Sequence, residues 1–274
     1  MPELPEVETI KKQLQNKIIG KKIKLVEIKL PRFINLSVND FKKTVEKTTI
    51  IGISRRAKIL IISLSNNWSL IIHLKLTGQL IYKKNQSKID KYTHLIFHFT
   101  DKSQLFYNDL RQFGYIKLIE SKKVSEFLIK ENFGPEPLEK DFTLEKFKKL
   151  LVKKSRQKIK PLLMDQTFLA GIGNVYAQEI CFYAKILPYR KVSTLSDREI
   201  KKIYDGIKRI LTSAIAHRGS SVDTYLDIYG LKGEYIPFLK VYNRENQPCL
   251  NCKTKIKTIS LAGRGTCFCP GCQK

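Results

Sequence analysis

Apolar residues recur at Val7, Ile10, Leu14 and Ile18, with Pro5 near the start of the run and Gly20 just past its end. That is the spacing and punctuation of an amphipathic first helix. From about residue 22 to 121 the pattern changes. Runs rich in Ile, Leu, Phe and Tyr cover residues 22–30, 48–64, 68–76, 94–100, 104–108 and 115–119, separated by turn residues. Many short apolar runs of this kind predict an antiparallel β-sandwich. Gly134-Pro135-Glu136-Pro137 then breaks the chain. Beyond it the period returns to helical over 142–153, 173–183 and 196–217, the last opened by Ser196 and Glu199 at capping-box spacing. The expected organisation is α+β: a sandwich domain with an N-terminal helix over 1–133, a linker over 134–142, a helical domain over 143–237 and a small C-terminal domain over 238–274.

The C-terminal domain is defined by its cysteines. Cys249/Cys252 and Cys269/Cys272 form two C-x-x-C pairs with sixteen residues between them. Each pair offers two thiolates from one tight turn, and a hairpin between them can bring all four to one tetrahedral zinc. Pro248 and Pro270-Gly271 suit such turns. Two disulfides in a secreted protein would be the competing use of the four thiols. The acidic, proline-bearing start Met1-Pro2-Glu3-Leu4-Pro5-Glu6 is no secretory signal, so a reducing cytosol and one structural Zn2+ are expected. Cys267 competes with Cys269 for the fourth place, and the C-x-x-C spacing favours Cys269. Cys181 lies among apolar residues, as a buried inert thiol would.

The 274 residues carry 51 Lys+Arg against 25 Asp+Glu, a net charge of +26. A charge of that size points to a polyanion, either nucleic acid or an anionic membrane surface, although lysine is also abundant throughout the chain. No run is long enough to span a membrane. The N-terminus adds chemistry. Pro2 follows Met1 and permits its removal, which would expose a secondary amine. An α-amino group titrates near pH 7.7–8.0 in peptides against about 10.4 for lysine, so it can be a neutral nucleophile at physiological pH. Attack on an aldehyde-level carbon gives an iminium that drives elimination next door, and Glu3 stands beside it as a potential general acid.

Several motifs now fall in order. Met-Pro-Glu-Leu-Pro-Glu-Val-Glu-Thr, Lys-Pro-Leu-Leu-Met-Asp-Gln, Gly-Ile-Gly-Asn-Val-Tyr-Ala and the four-cysteine finger together resemble bacterial formamidopyrimidine-DNA glycosylases over nearly the whole chain. The resemblance implies a β-sandwich, a helix–two-turn–helix domain and a β-hairpin zinc finger, acting as a monomer in the bacterial cytoplasm on double-stranded DNA containing oxidised purines. It implies a bifunctional glycosylase/AP lyase that excises 8-oxoguanine and formamidopyrimidines and cleaves the strand by β,δ-elimination. Base flipping accompanies such chemistry.

By the same resemblance Pro2 is the nucleophile, Glu3 the acid for sugar-ring opening and Glu6 a supporting carboxylate. Lys58 contacts a phosphate beside the lesion, and Lys160 lies near the lesion pocket. Leu76, Arg111 and Phe113 fill the gap left by the flipped base, Leu76 standing where the family has Met. His94 is a weaker candidate DNA contact in a stretch, 91–94, that departs from the family. Asn174, Tyr242 and Arg264 match phosphate contacts, and Glu179 a structural carboxylate. Ser220, Ser221, Val222, Asp223, Thr224 and Tyr225 match the loop that closes over the extruded base. Two rivals remain. An endonuclease VIII-like enzyme for oxidised pyrimidines is disfavoured by Leu4, by the Arg111/Phe113 pair and by the long 219–233 loop. A catalytically silent zinc-finger binder is disfavoured by intact Pro2, Glu3, Lys58 and Lys160.

Overall fold

A computed structural model describes residues 1–85 and 89–274. The chain divides into two compact units. One comprises 1–131 with 217–236, the other 132–216 with 237–274.

In the first unit α1 (Leu4–Ile18) begins with reciprocal capping between Glu3 and Glu6, and it buries Val7, Ile10, Leu14 and Ile18. Eight strands follow: β1 (Ile23–Ile28), β2 (Ile50–Arg56), β3 (Ile59–Leu64), β4 (Trp68–His73), β5 (Gly78–Lys83), β6 (Thr93–Phe99), β7 (Gln104–Asp109) and β8 (Tyr115–Glu120). They form two four-stranded sheets, ordered β1-β6-β7-β5 and β2-β3-β4-β8. Every pairing is antiparallel. Leu60, Ile62 and Leu64 of one sheet and Phe97, Phe99 and Leu105 of the other join the α1 residues in one apolar cluster. The period-two alternation within each strand sends these side chains to a common interior.

Three elements differ from the expected runs. Residues 48–64 are two strands, because Ala57 takes a left-handed φ of 52° and turns the chain. β5 lies beyond the run that ended at Leu76. Two short helices, α2 (Val38–Val45) and α3 (Val124–Lys130), interrupt the strand-rich region. α2 buries only Phe41 and Val45, too few positions to show a period, and its start is marked by Ser37 Oγ accepting from Asp40 N.

The second unit is helical, with α4 (Leu144–Val152), α5 (Ile159–Met164), α6 (Asn174–Ala184) and α7 (Asp197–Ala216), then the hairpin β9 (Lys257–Leu261) and β10 (Arg264–Phe268). The capping box at α7 is formed: Ser196 N donates to Glu199 Oε2 at 2.8 Å, and Glu199 N to Ser196 Oγ at 3.4 Å. α6 is buried on nearly all sides, including Gln178 and Glu179. Polar groups in such a helix require partners. The segment 217–236, placed with the helices by the sequence-based boundary at 237, clusters instead with the first unit. There Tyr82 N on β5 donates to Ile228 O at 2.7 Å. Among the described residues, no helix is long and apolar enough to cross a membrane.

Candidate functional site

The start of α1 is built around two buried carboxylates. Glu3 and Glu6 are 2% and 1% exposed, and Pro2 is buried beside them. Glu6 Oε2 accepts from Glu3 N at 2.8 Å, which fixes the backbone next to Pro2. Glu6 Oε1 accepts from Ser220 N at 2.7 Å and from Ser220 Oγ at 3.2 Å. One carboxylate therefore joins the helix start to the start of the 219–233 loop. Gly219 makes this approach possible: its φ is +80°, and a Cβ there would meet Glu6 Oε1 at 2.7 Å. The Met1 amine pairs with Asp223 at 3.0 Å.

Lys58 lies in the turn between β2 and β3 and is 7% exposed. Arg55, near the end of β2, donates to the Ala57 carbonyl at 2.8 Å and to Glu8 of α1 at 2.9 Å. The turn carrying Lys58 is thus fastened to the helix that begins two residues after Pro2. Burial raises the Glu8 carboxyl pKa, but hydrogen bonds from Lys11 and Arg55 outweigh it and leave it below the usual range.

Beside this turn lies His73, at the end of β4. Its Nδ1 accepts from Lys75 N at 2.9 Å. Burial, then the charges of Lys75 and Lys58, push its pKa down to about 3. The ring is therefore neutral at physiological pH with its proton on Nε2. The unfolded chain protonates this ring near pH 6.5 and the folded chain does not. Its contribution to stability is therefore complete above pH 6.5 and is lost as the pH falls toward 3, by about 1.4 kcal/mol per unit at most. Imidazole nitrogen shifts should show His73 neutral at pH 5, and His73→Gln should have a shallower acid limb in Tm against pH. A His73 titration near 6.5 would contradict this.

The two proposed gap-filling loops share a buried hub. Asp109 is fully buried; its Oδ1 accepts from Thr77 Oγ1 at 2.5 Å and its Oδ2 from Gly114 N at 2.8 Å. Thr77 Oγ1 in turn accepts from Arg111 N at 2.8 Å. The loop carrying half-buried Leu76 is thereby coupled to the one carrying Arg111 and Phe113. Phe113 is 56% exposed, and the Arg111 guanidinium lies 5.3 Å over its ring. An exposed aromatic supported by a cation fits a wedge better than a core residue.

His94 does not join this surface. It is 6% exposed, stacked on Phe33 at 4.6 Å, with Nε2 2.9 Å from the Asp109 carbonyl. From that position the ring braces the hub from inside.

In the second unit Lys160 is fully buried, and its Nζ donates to Asn174 Oδ1 at 2.6 Å and Thr266 Oγ1 at 3.1 Å. It therefore ties the start of α6 to the finger hairpin. Gln178, absent from the sequence-based candidates, does the same through backbone. Its Nε2 donates to Gly265 O at 3.1 Å and its Oε1 accepts from Cys267 N at 2.7 Å. Glu179 accepts from the amides of Lys240, Val241 and Tyr242 at 2.8, 3.0 and 2.9 Å. Burial raises its pKa despite those three amides. The result is that Asn174, Tyr242 and Arg264 line one open basin of about 560 Å³. Arg264 projects from a two-residue hairpin turn in which Ala262 and Gly263 both have positive φ, 51° and 70°.

The sulfurs of Cys249, Cys252, Cys269 and Cys272 all lie within 4.8 Å of one another. Cys249 and Cys272 are 3.8 Å apart, and Cys252 and Cys269 3.4 Å. Four sulfurs each about 2.3 Å from a tetrahedral zinc are separated by about 3.8 Å, so the donor set fits one Zn2+. Cys267 is outside the cluster, with its sulfur 3.1 Å from Thr258 Oγ1. Gly271 allows the second knuckle to close, since a Cβ there would meet Thr254 Oγ1 at 2.6 Å.

The chain thus combines a sandwich with buried carboxylates at an N-terminal helix, a helical unit and a four-thiolate finger. The formamidopyrimidine-DNA glycosylase N-terminal domain matches residues 1–116, the H2TH domain of the same glycosylases 133–225, and the zinc finger found in FPG and IleRS 246–274. The formamidopyrimidine-DNA glycosylase of Pelotomaculum thermopropionicum is 43% identical over all of this chain and 99% of its own length. That of Listeria monocytogenes is 42% identical over the whole of both chains. The Lactococcus lactis Fpg in complex with abasic-site DNA superposes with a TM-score of 0.93 at 39% identity, covering 99% of each chain. A Lactococcus Fpg mutant bound to Fapy-dG DNA gives the same score. The chain belongs to the formamidopyrimidine-DNA glycosylase family, and it is a DNA glycosylase and AP lyase of base excision repair with one structural zinc.

Proposed function

We propose that the protein removes oxidised purines, 8-oxoguanine and formamidopyrimidines, from double-stranded DNA through a covalent intermediate at Pro2. The observation that carries this reading is the pair of buried carboxylates, Glu3 and Glu6, that follow Pro2 at the start of α1. With Met1 removed, the Pro2 nitrogen attacks C1′ of the damaged nucleotide. The bond from C1′ to the base breaks, the base leaves with a proton, and Glu3 protonates the ring oxygen as the sugar opens. The resulting iminium acidifies the C2′ proton; its removal expels the 3′ phosphate, and a second elimination expels the 5′ phosphate. Glu6 holds the backbone of Glu3 in place.

Around this centre Lys58 takes a flanking phosphate by charge-assisted contact. Arg111 and Phe113 with Leu76 occupy the space vacated by the flipped base. The basin lined by Asn174, Tyr242 and Arg264 receives the backbone, and Lys160 fixes Asn174 and the finger relative to each other. Residues 220–225 cover the extruded base. Zinc supplies no chemistry; its four thiolates hold the hairpin that presents Arg264. The remaining positive charge attracts duplex DNA without regard to sequence, so affinity falls steeply with salt. The protein works as a monomer in the bacterial cytoplasm.

Borohydride reduction during reaction with an 8-oxoguanine:cytosine duplex tests the reading. A covalent adduct mapping to Pro2 is expected, with weaker trapping on an oxidised-pyrimidine duplex. No adduct from protein with a free Pro2 amine would overturn the mechanism, and preferential trapping on the pyrimidine lesion would favour the endonuclease VIII-like alternative.

A further inference from the structure

Asp227 is fully buried yet belongs to none of the groups assigned above. Its Oδ1 accepts from Tyr229 N at 3.0 Å and Leu231 N at 2.9 Å, closing a turn. Its Oδ2 accepts from Gln13 Nε2 at 3.0 Å and Arg218 Nη1 at 3.4 Å. Gln13 answers in the opposite sense, its Oε1 accepting from Ile228 N at 3.2 Å. The turn at 227–231 is therefore read at two adjacent positions by one side chain of α1. Ser221 closes the other limb, donating to Tyr225 O at 2.8 Å and accepting from Gly233 N at 2.8 Å.

α1 is the common reference. Its start carries Glu3 and Glu6 next to Pro2, and Gln13 lies on the same rigid helix about 10 Å beyond Glu6. Glu6 fixes where the loop begins, at Ser220, and Gln13 fixes where it returns, at Asp227 and Ile228. Two rivets on one helix set the height of the arch between them, residues 221–225. Asp223 at its crest is exposed.

We propose that Gln13 and Asp227 are positioning residues for lesion recognition: by fastening the returning limb of the 219–233 loop to α1, they set the arch over the reacting nucleotide without touching DNA. This rests on the reading that residues 220–225 cover the extruded base. Covering the base matters while a base is present, and a preformed abasic site has none. The pair should therefore separate base excision from strand cleavage.

The test compares single-turnover excision of 8-oxoguanine with cleavage of a preformed abasic site on the same duplex. Asp227→Ala and Gln13→Leu are each expected to slow excision about tenfold or more and to leave abasic-site cleavage within about twofold. Asp227→Asn keeps an acceptor for the two turn amides but points an NH2 at the Gln13 and Arg218 donors, so it should fold and still excise slowly. Gln13→Leu is the safeguard should Asp227→Ala fail to fold. Equal loss of both activities, or unchanged excision in a folded variant, would overturn the proposal. Replacing Val222, Asp223 and Thr224 together by glycine separates the two ideas. If that variant excises normally, the covering-loop reading fails. If it is impaired while Gln13→Leu and Asp227→Ala are normal, only the positioning role fails.

Discussion

Cys269→Ser is expected to bind no stoichiometric zinc and to lose most of its affinity for lesion-containing duplex, whereas Cys267→Ser keeps one zinc per chain. The two cysteines lie two residues apart on the second arm of the finger, so general damage there would affect both alike. Their sulfurs face different partners: Cys269 meets Cys252 at 3.4 Å within the four-sulfur cluster, and Cys267 meets Thr258. Structural zinc in small fingers contributes on the order of 10–16 kcal/mol of apparent binding free energy, which is also folding free energy. Without it the hairpin β9–β10 keeps a small apolar cluster around Val241 and Ile256 and the bonds from Lys160 and Gln178, but loses the link between the two knuckles. Arg264 then has no fixed direction. Native mass spectrometry gives the zinc count and fluorescence anisotropy the affinity. Zinc retained by Cys269→Ser and lost by Cys267→Ser would reverse the assignment of the fourth ligand.

Those cysteines were legible in the sequence because a tight knuckle imposes its own spacing. α1 was legible for a similar reason: its period, its proline and its capping residues are all local. The strand runs were visible but not their breaks. A single left-handed Ala57 divides the long run at 48–64, and no glycine or proline marks it. The polar side chains that assemble the site were the least legible. Gln178 reads as one more residue of an apolar helix, and only the folded chain shows it holding Gly265 and Cys267. Asp109 and Thr77 lie thirty-two positions apart and become a hub only when β5 and β7 pair. His94 was singled out only by the family resemblance, and nothing local in the sequence shows its ring stacked on Phe33. One signal was available in advance: polar residues placed at apolar positions of α6, which need partners and therefore mark where another segment docks.

Glu6→Gln is expected to lower both 8-oxoguanine excision and abasic-site cleavage by about ten- to a hundredfold, in contrast to Asp227→Ala. The carboxylate uses both oxygens as acceptors, one for Glu3 N and the other for Ser220 N and Oγ. Glutamine offers one oxygen and one NH2, so one buried backbone donor must face another donor. A buried donor left unpaired costs about 1–3 kcal/mol, which sets the range of the effect. If Glu3 N is the one displaced, the acid and the nucleophile beside it shift together, and both reactions require that nucleophile. If Ser220 N is displaced, the loop lifts and excision falls further than cleavage. The ratio of the two losses thus reports which bond glutamine gives up. Gly219→Ala should resemble the second case, because its Cβ would press on Glu6 Oε1 at 2.7 Å from a backbone conformation that favours glycine. Wild-type rates and Tm in Glu6→Gln would show that the carboxylate is not the brace described.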